Sequence, residues 1–163
     1  MKESSKAKET ILVLGVGNEA LGDEGFGIYV ARRMKDVSLP ENVRVQEGGV
    51  AGLDLLGSIT DIDRLIVVDA MITDLEPGNI GYFELDDRIN APNKTNFSFH
   101  QLSIAEILQI ASLMGHKPRV EFVVAKPELL KLGFEMSEAM HKAVDKTVNY
   151  LTEKLVGNVP VKG

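Results

Sequence analysis

Residues 10–37 read TILVL (10–14), GVGNEALGDEGFG (15–27) and IYVARRMKDV (28–37). Thr10 to Leu14 is a short run rich in β-formers that stops at Gly15, so it predicts a strand. A glycine-rich loop follows. Gly27 to Val37 then predicts a helix, because Val30, Met34 and Val37 recur at spacings of four and three, opposite Arg32, Arg33 and Lys35. The basic trio reads as the solvated side of that helix. Strand, glycine loop and helix form the opening unit of an α/β chain.

The rest of the sequence repeats the alternation. Val43 to Gln46 is a second short strand, closed by Gly48-Gly49, and Leu53 to Ile59 is a short helix. Leu65 to Val68 (LIVV) is a continuous apolar run, the pattern of a central strand buried on both faces, and Asp69 follows it directly. Gly78 to Leu85 alternates weakly, as an edge strand does. Ser103 to Met114 predicts a helix opened by a capping box of Ser103 and Glu106, with Ile104, Ile107, Leu108, Ala111 and Met114 in one stripe. Arg119 to Val124 is another strand. Ser137 to Leu155 is the longest helix, with Met140, Ala143, Val144, Val148, Leu151 and Leu155 on one face.

Strands separated by helices require crossover connections and hence a mostly parallel sheet. The expected architecture is a three-layer αβα fold with a twisted sheet of about five strands and helices on both faces. It forms a single domain over 1–163, with flexible tails at 1–9 and 157–163. In such sheets, ligands bind beyond the carboxyl ends of the strands.

Composition narrows the function. The 163 residues carry 24 acids against 18 bases, a net charge of -6, and no clustered basic face for phosphates, so nucleic acid is excluded as a partner. There is no cysteine, which removes disulfides, thiolate metal sites and cysteine nucleophiles. No apolar run approaches the roughly 20 residues needed to span a bilayer. The polar start, Met1 to Glu9, lacks the apolar core of a signal peptide. These features predict a cytoplasmic protein with no membrane partner.

Gly15-Val16-Gly17-Asn18-Glu19-Ala20 matches the dinucleotide fingerprint G-x-G-x-x-G/A. A nucleotide-binding module using Gly15, Gly17 and Ala20 is therefore one reading. The loop, however, continues to Gly27, and Asp23 and Glu24 stand where the pyrophosphate should bind. Two like charges near 4 Å cost on the order of 1–4 kcal/mol. The same acids suit a cation, or they cap the first helix for about 0.3–1 kcal/mol. Five glycines in the thirteen residues 15–27 exceed what a cap requires.

Asp69 lies where an α/β enzyme places working groups, whereas Asp54, Asp61, Asp63 and Asp74 read as solvated. His116 follows a helix end, His141 lies on the charged side of the last helix, and His100 precedes a helix in an apolar context. Two carboxylates and one imidazole suit a borderline metal such as zinc, nickel, iron or manganese. No H-E-x-x-H spacing supports the set, and no G-x-S-x-G elbow offers a serine nucleophile.

ILVLGVGNEALGDEGFG (11–27) resembles the N-terminal signature of the hydrogenase maturation endopeptidases, the proteases that process the large subunit of [NiFe] hydrogenases. EGGVAGLDLLG (47–57), LIVVDA (65–70) and SFHQL (98–102) resemble further segments of that family, in the same order. The resemblance implies a peptidase domain that removes a C-terminal extension from the hydrogenase large-subunit precursor after nickel insertion. It implies metal ligands at Glu24, Asp69 and His100, catalytic roles for Asp69 and Glu24, and substrate contacts at Asn18, Gly48 and Gly49. The glycines, in the loop after the second strand, would leave room for a substrate backbone.

The metal implied is nickel, supplied by the substrate or replaced by zinc or another divalent ion, in an aspartyl- or metallo-type mechanism acting as a monomer. The metal either polarises the carbonyl and activates water, or serves as a recognition anchor while the carboxylates handle protons. At Ala125-Lys126-Pro127-Glu128 this sequence departs from the family, many members of which place an acid before the proline. A nickel metallochaperone without peptidase activity is the alternative reading.

Overall fold

Alternating residues of each strand feed two separate cores, and this makes the sheet a middle layer. The computed structural model describes residues 8–49, 54–85, 99–128, 130–133 and 135–157, with the backbone alone for 99–103. The strands are β1 (Ile11–Val16), β2 (Val43–Gly49), β3 (Arg64–Ala70), β4 (Ile80–Glu84) and β5 (Arg119–Ala125). The helices are α1 (Phe26–Lys35), α2 (Asp54–Ile59), α3 (Phe99–Leu113) and α4 (Glu138–Val156). The sheet order is β2-β1-β3-β5-β4. β1, β2, β3 and β5 pair in parallel, and β4 lies antiparallel on β5 at one edge.

On one face, Phe26, Val30 and Met34 of α1 and Met140, Ala143, Val148 and Leu151 of α4 pack on Val13, Ile66, Val68 and Val123. On the other, Leu55 and Ile59 of α2 and Ile104, Ile107 and Ala111 of α3 pack on Leu14, Leu65, Val67 and Phe122. Residues 65–68 alternate between the two cores, so the whole LIVV run is apolar. The expected three-layer αβα fold with a mostly parallel five-stranded sheet is the observed one.

The boundaries differ from expectation where pairing, not composition, decides them. β1 runs on through Gly15 and Val16. β2 does not close at Gln46: it continues through Gly48 and Gly49, which are therefore not in the loop after it. Gly15 pairs with Glu47 and Val16 with Gly49, so Gly48 is the extra residue of a bulge. A Cβ there would stand 2.9 Å from Cδ1 of Leu14. Asp69 lies inside β3, opposite Val124, rather than after the strand. α3 starts at Phe99, so Ser103 and Glu106 sit within the helix rather than at its start. α1 ends at Lys35, and Val37 packs on the core from beyond it.

Of the expected tails, 1–7 and 158–163 lie outside the described residues. Glu9 is held: its carbonyl accepts from Asn42 Nδ2 at 2.7 Å. No described helix is long and apolar enough to cross a membrane.

One buried charge needs explanation. Glu121 of β5 is 4% exposed beneath α4. It accepts from Arg64 Nε at 2.9 Å and from Lys154 Nζ at 2.8 Å. Burial pushes its carboxyl up, but the bonds from Arg64 and Lys154 outweigh burial and hold it below its ordinary value of 4.5. A depressed folded-state pKa means stability that is full above the ordinary carboxylate range and lost as pH falls through the folded value. Glu121→Gln is expected to cost about 2 kcal/mol at neutral pH. Urea denaturation midpoints of the two proteins should converge on acidification below pH about 4. A gap that stays constant with pH would show that the charge contributes nothing.

Candidate active site

The chain leaves β1 toward β2 on one side of the sheet, whereas β3 is flanked on its other side by β5 and β4. The connections thus diverge between β1 and β3, and the crevice of an open α/β sheet lies beyond the carboxyl ends of those two strands. Two pieces of chain reach that point: the glycine loop after β1 and the end of β3.

Close packing shapes the loop. Gly27 seats the start of α1 directly on the strand ends, where a Cβ would lie 2.1 Å from the Val68 carbonyl oxygen and 2.3 Å from that of Val16. Gly17 adopts φ +145°, a conformation favouring glycine, with the Glu24 carbonyl 2.1 Å from where a Cβ would be. Asn18 then closes the loop locally. Its Oδ1 accepts from Ala20 N at 3.0 Å, its own N–H donates to Glu24 O at 3.2 Å, and its carbonyl accepts from Leu21 N at 3.1 Å. The loop ends in a 3-10 turn, Gly22–Gly25, immediately before α1.

That turn separates two acids adjacent in sequence. Asp23 is fully buried, and its partners come from the far end of the chain. Oδ2 accepts from Glu128 N at 2.8 Å and Ser137 Oγ at 2.9 Å, and Oδ1 from Ser137 N at 2.7 Å. Ser137 Oγ in turn accepts from Met140 N at 3.3 Å as the N-cap of α4. Gly133 reinforces the link, donating to Ala20 O and accepting from Gly22 N, both at 2.9 Å. Asp23 therefore fastens the segment after β5 to the loop, a role that reading it beside Glu24 as a second candidate acid missed. Glu24 is only partly buried.

Asp69 is fully buried at the carboxyl end of the central strand. By strand alternation it shares the α2/α3 face with Leu65 and Val67. α3 ends at Leu113 and the chain enters β5 at Arg119, so the start of α3 lies at the carboxyl edge on that same face. The backbone of His100, the helix's second residue, is brought there; its side chain lies outside the described residues. His100 is thus in the helix, not before it. Among the described residues no three acids or histidines form a complete metal cage. His116 and His141 are exposed. So are Asp54, Asp61, Asp63 and Asp74, although Asp61 pairs with Arg44 at 2.9 Å and Asp63 Oδ2 accepts from Thr10 N at 2.8 Å.

Arg32 also departs from expectation. It does not simply face solvent: it bonds Glu19 in the glycine loop and Glu47 at the end of β2. Lys35 joins Glu47 at 2.8 Å, and Arg33 pairs with Asp145. Nothing in the local spacing announces these contacts, because every partner comes from another element.

The family model of the hydrogenase maturation proteases (HycI) matches residues 28–154. The chain belongs to this family. Asp69 and His100 fall within the matched span, and Glu24 lies just before it. The Hydrogenase 2 maturation protease of Escherichia coli K12 is 31% identical over 156 residues, covering 92% of this chain and 95% of the relative. The hydrogenase expression/formation protein HupD of Rhizobium leguminosarum is 39% identical over 119 residues, 72% of this chain but 59% of that longer protein. Among solved structures, the hydrogenase maturating endopeptidase HybD from E. coli superposes with a TM-score of 0.78 at 31% identity, covering 89% of this chain and 91% of that one. Maturation proteases of this family are hydrolases, and this fold is theirs.

Proposed function

We propose that this protease is the endopeptidase that removes a C-terminal extension from a [NiFe] hydrogenase large-subunit precursor after nickel insertion. In this reading Glu24, Asp69 and His100 recognise the nickel, which arrives with the precursor as part of the substrate. One observation carries the assignment: Asp69 is a wholly buried carboxylate at the carboxyl end of the central strand, beside the point where the connections diverge. The turn bearing Glu24 and the first turn of α3 meet the same edge. Two carboxylates and an imidazole suit nickel, with zinc or another divalent ion as a substitute.

The chain's own groups can then perform hydrolysis. A water oxygen attacks the scissile carbonyl carbon, a carboxylate of the Asp69–Glu24 pair takes the water proton, and that proton passes to the leaving amine as the C–N bond breaks. Bound metal would supply an anchor that holds the precursor in register. Asn18 and the end of β2 at Gly48 and Gly49 would contact the substrate backbone; the outer side of β2 has no partner strand among the described residues.

The test is a cleavage assay on nickel-loaded and nickel-free precursor. The loaded precursor should release a short C-terminal peptide and the empty one should not. Asp69→Asn should slow cleavage by at least about 100-fold. Equal cleavage of both precursors would remove nickel recognition. Full activity in Asp69→Asn would remove the residue assignment. Metal binding with an uncut precursor would favour a metallochaperone.

A further inference from the structure

We infer that Arg32 is a positioning residue of this site, a clamp that sets the spacing between the glycine loop and the glycine-bearing end of β2; the inference rests on the peptidase reading above. The guanidinium uses its three nitrogens on carboxylates from two different segments. Nη1 and Nη2 donate to the two oxygens of Glu19 at 2.7 and 3.0 Å, and Nε donates to Glu47 Oε1 at 2.7 Å. Lys35 takes the remaining Glu47 oxygen at 2.8 Å. The Tyr29 ring lies 5.7 Å from the guanidinium carbon.

The two acids stand at telling places. Glu19 lies between Asn18 and the turn that bears Glu24. Glu47 immediately precedes the bulge at Gly48 and Gly49. These are the segments assigned to substrate contact, and they have no other side-chain link to each other among the described residues.

Stability does not explain the cluster. Arg32 is 45% exposed and Glu19 37%, and exposed pairs of this kind contribute little to folding. A bidentate fork confers geometry instead, which a lysine's point charge cannot copy. Arg32 lowers the Glu19 carboxyl through its hydrogen bond, while the charge of Glu47 raises it. The two carboxylates repel each other, and the guanidinium between them offsets that repulsion.

The test uses the full chain with Arg32→Ala, Arg32→Lys and the triple variant Glu19→Gln, Arg32→Ala, Glu47→Gln. Melting temperature, steady-state cleavage of nickel-loaded precursor, and amide hydrogen exchange of segments 17–25 and 46–49 are measured for each. Arg32→Ala should leave the melting temperature unchanged and raise KM about tenfold, with kcat altered by less than about twofold. Exchange should accelerate in both segments together. Arg32→Lys should fall between Arg32→Ala and the parent, and the triple variant should recover part of the KM because the repulsion is gone. Unchanged exchange, a KM equal to the parent's, or full function in Arg32→Lys would overturn the clamp. If the parent protein cleaves no precursor, the peptidase reading fails, and the exchange measurement alone still decides whether Arg32 couples the two segments.

Discussion

Asp23→Ala is expected to lower folding stability by about 3–5 kcal/mol. The carboxylate has no exposure and, among the described residues, accepts from two main-chain N–H groups and from the Ser137 hydroxyl. Alanine would strip the partner from Glu128 N and Ser137 N at once and leave a void lined by polar atoms. The start of α4 would loosen with them, because the Ser137 hydroxyl that caps Met140 N is aimed by Asp23. Ser137→Ala is the graded control. It removes only the hydroxyl donor and cap, and should cost about 1 kcal/mol. Urea denaturation of both variants checks the ordering; a loss below 1 kcal/mol for Asp23→Ala would show that water replaces its partners without penalty. Folded Asp23→Ala should also cleave precursor poorly, since the same bonds hold the turn that bears Glu24.

Gly27→Ala is expected to cost about 3 kcal/mol, although alanine favours a helix over glycine by about 1 kcal/mol. The obstacle is main chain. The new methyl would fall 2.1 Å from Val68 O, 2.3 Å from Val16 O and 2.8 Å from Val16 N, none of which is the end of a flexible side chain. α1 would have to lift off the ends of β1 and β3, carrying the Gly22–Gly25 turn away from the crevice. Gly57→Ala in α2 is the counter-case, with nothing within 4 Å of its new methyl, and should stabilise by about 0.5–1 kcal/mol. Thermal melts of the pair should move in opposite directions. If both rise, the close approach at Gly27 relaxes and the glycine is dispensable.

These cases show how unevenly the site could be read in advance. The apolar runs and helical stripes place each described strand and α-helix, because burial on one face or two imposes a period that survives in any local window. LIVV marked the central strand, and the residue after it, Asp69, was thereby marked as a candidate. The excess of glycine in 15–27 was visible as well, and so was its inadequacy as a helix cap. Its cause was not visible: Gly27 must be small because two strand ends, from β1 and β3, meet the helix there. The end of β2 lies beyond the expected boundary for a similar reason. Gly48 and Gly49 read as a loop until their pairing with β1 shows a bulged strand.

Local patterning suffices for the layered α/β fold, the order of its elements, and a short set of candidate groups at the carboxyl edge, because hydrophobic period and turn chemistry are local properties. Long-range contacts alone separate Asp23 from Glu24 and give Arg32 its two carboxylates. The side chains of Asp23 and Glu24 are chemically alike and adjacent. What distinguishes them is that the partners of Asp23 arrive from 105 and 114 residues away, and no local window contains a contact of that range.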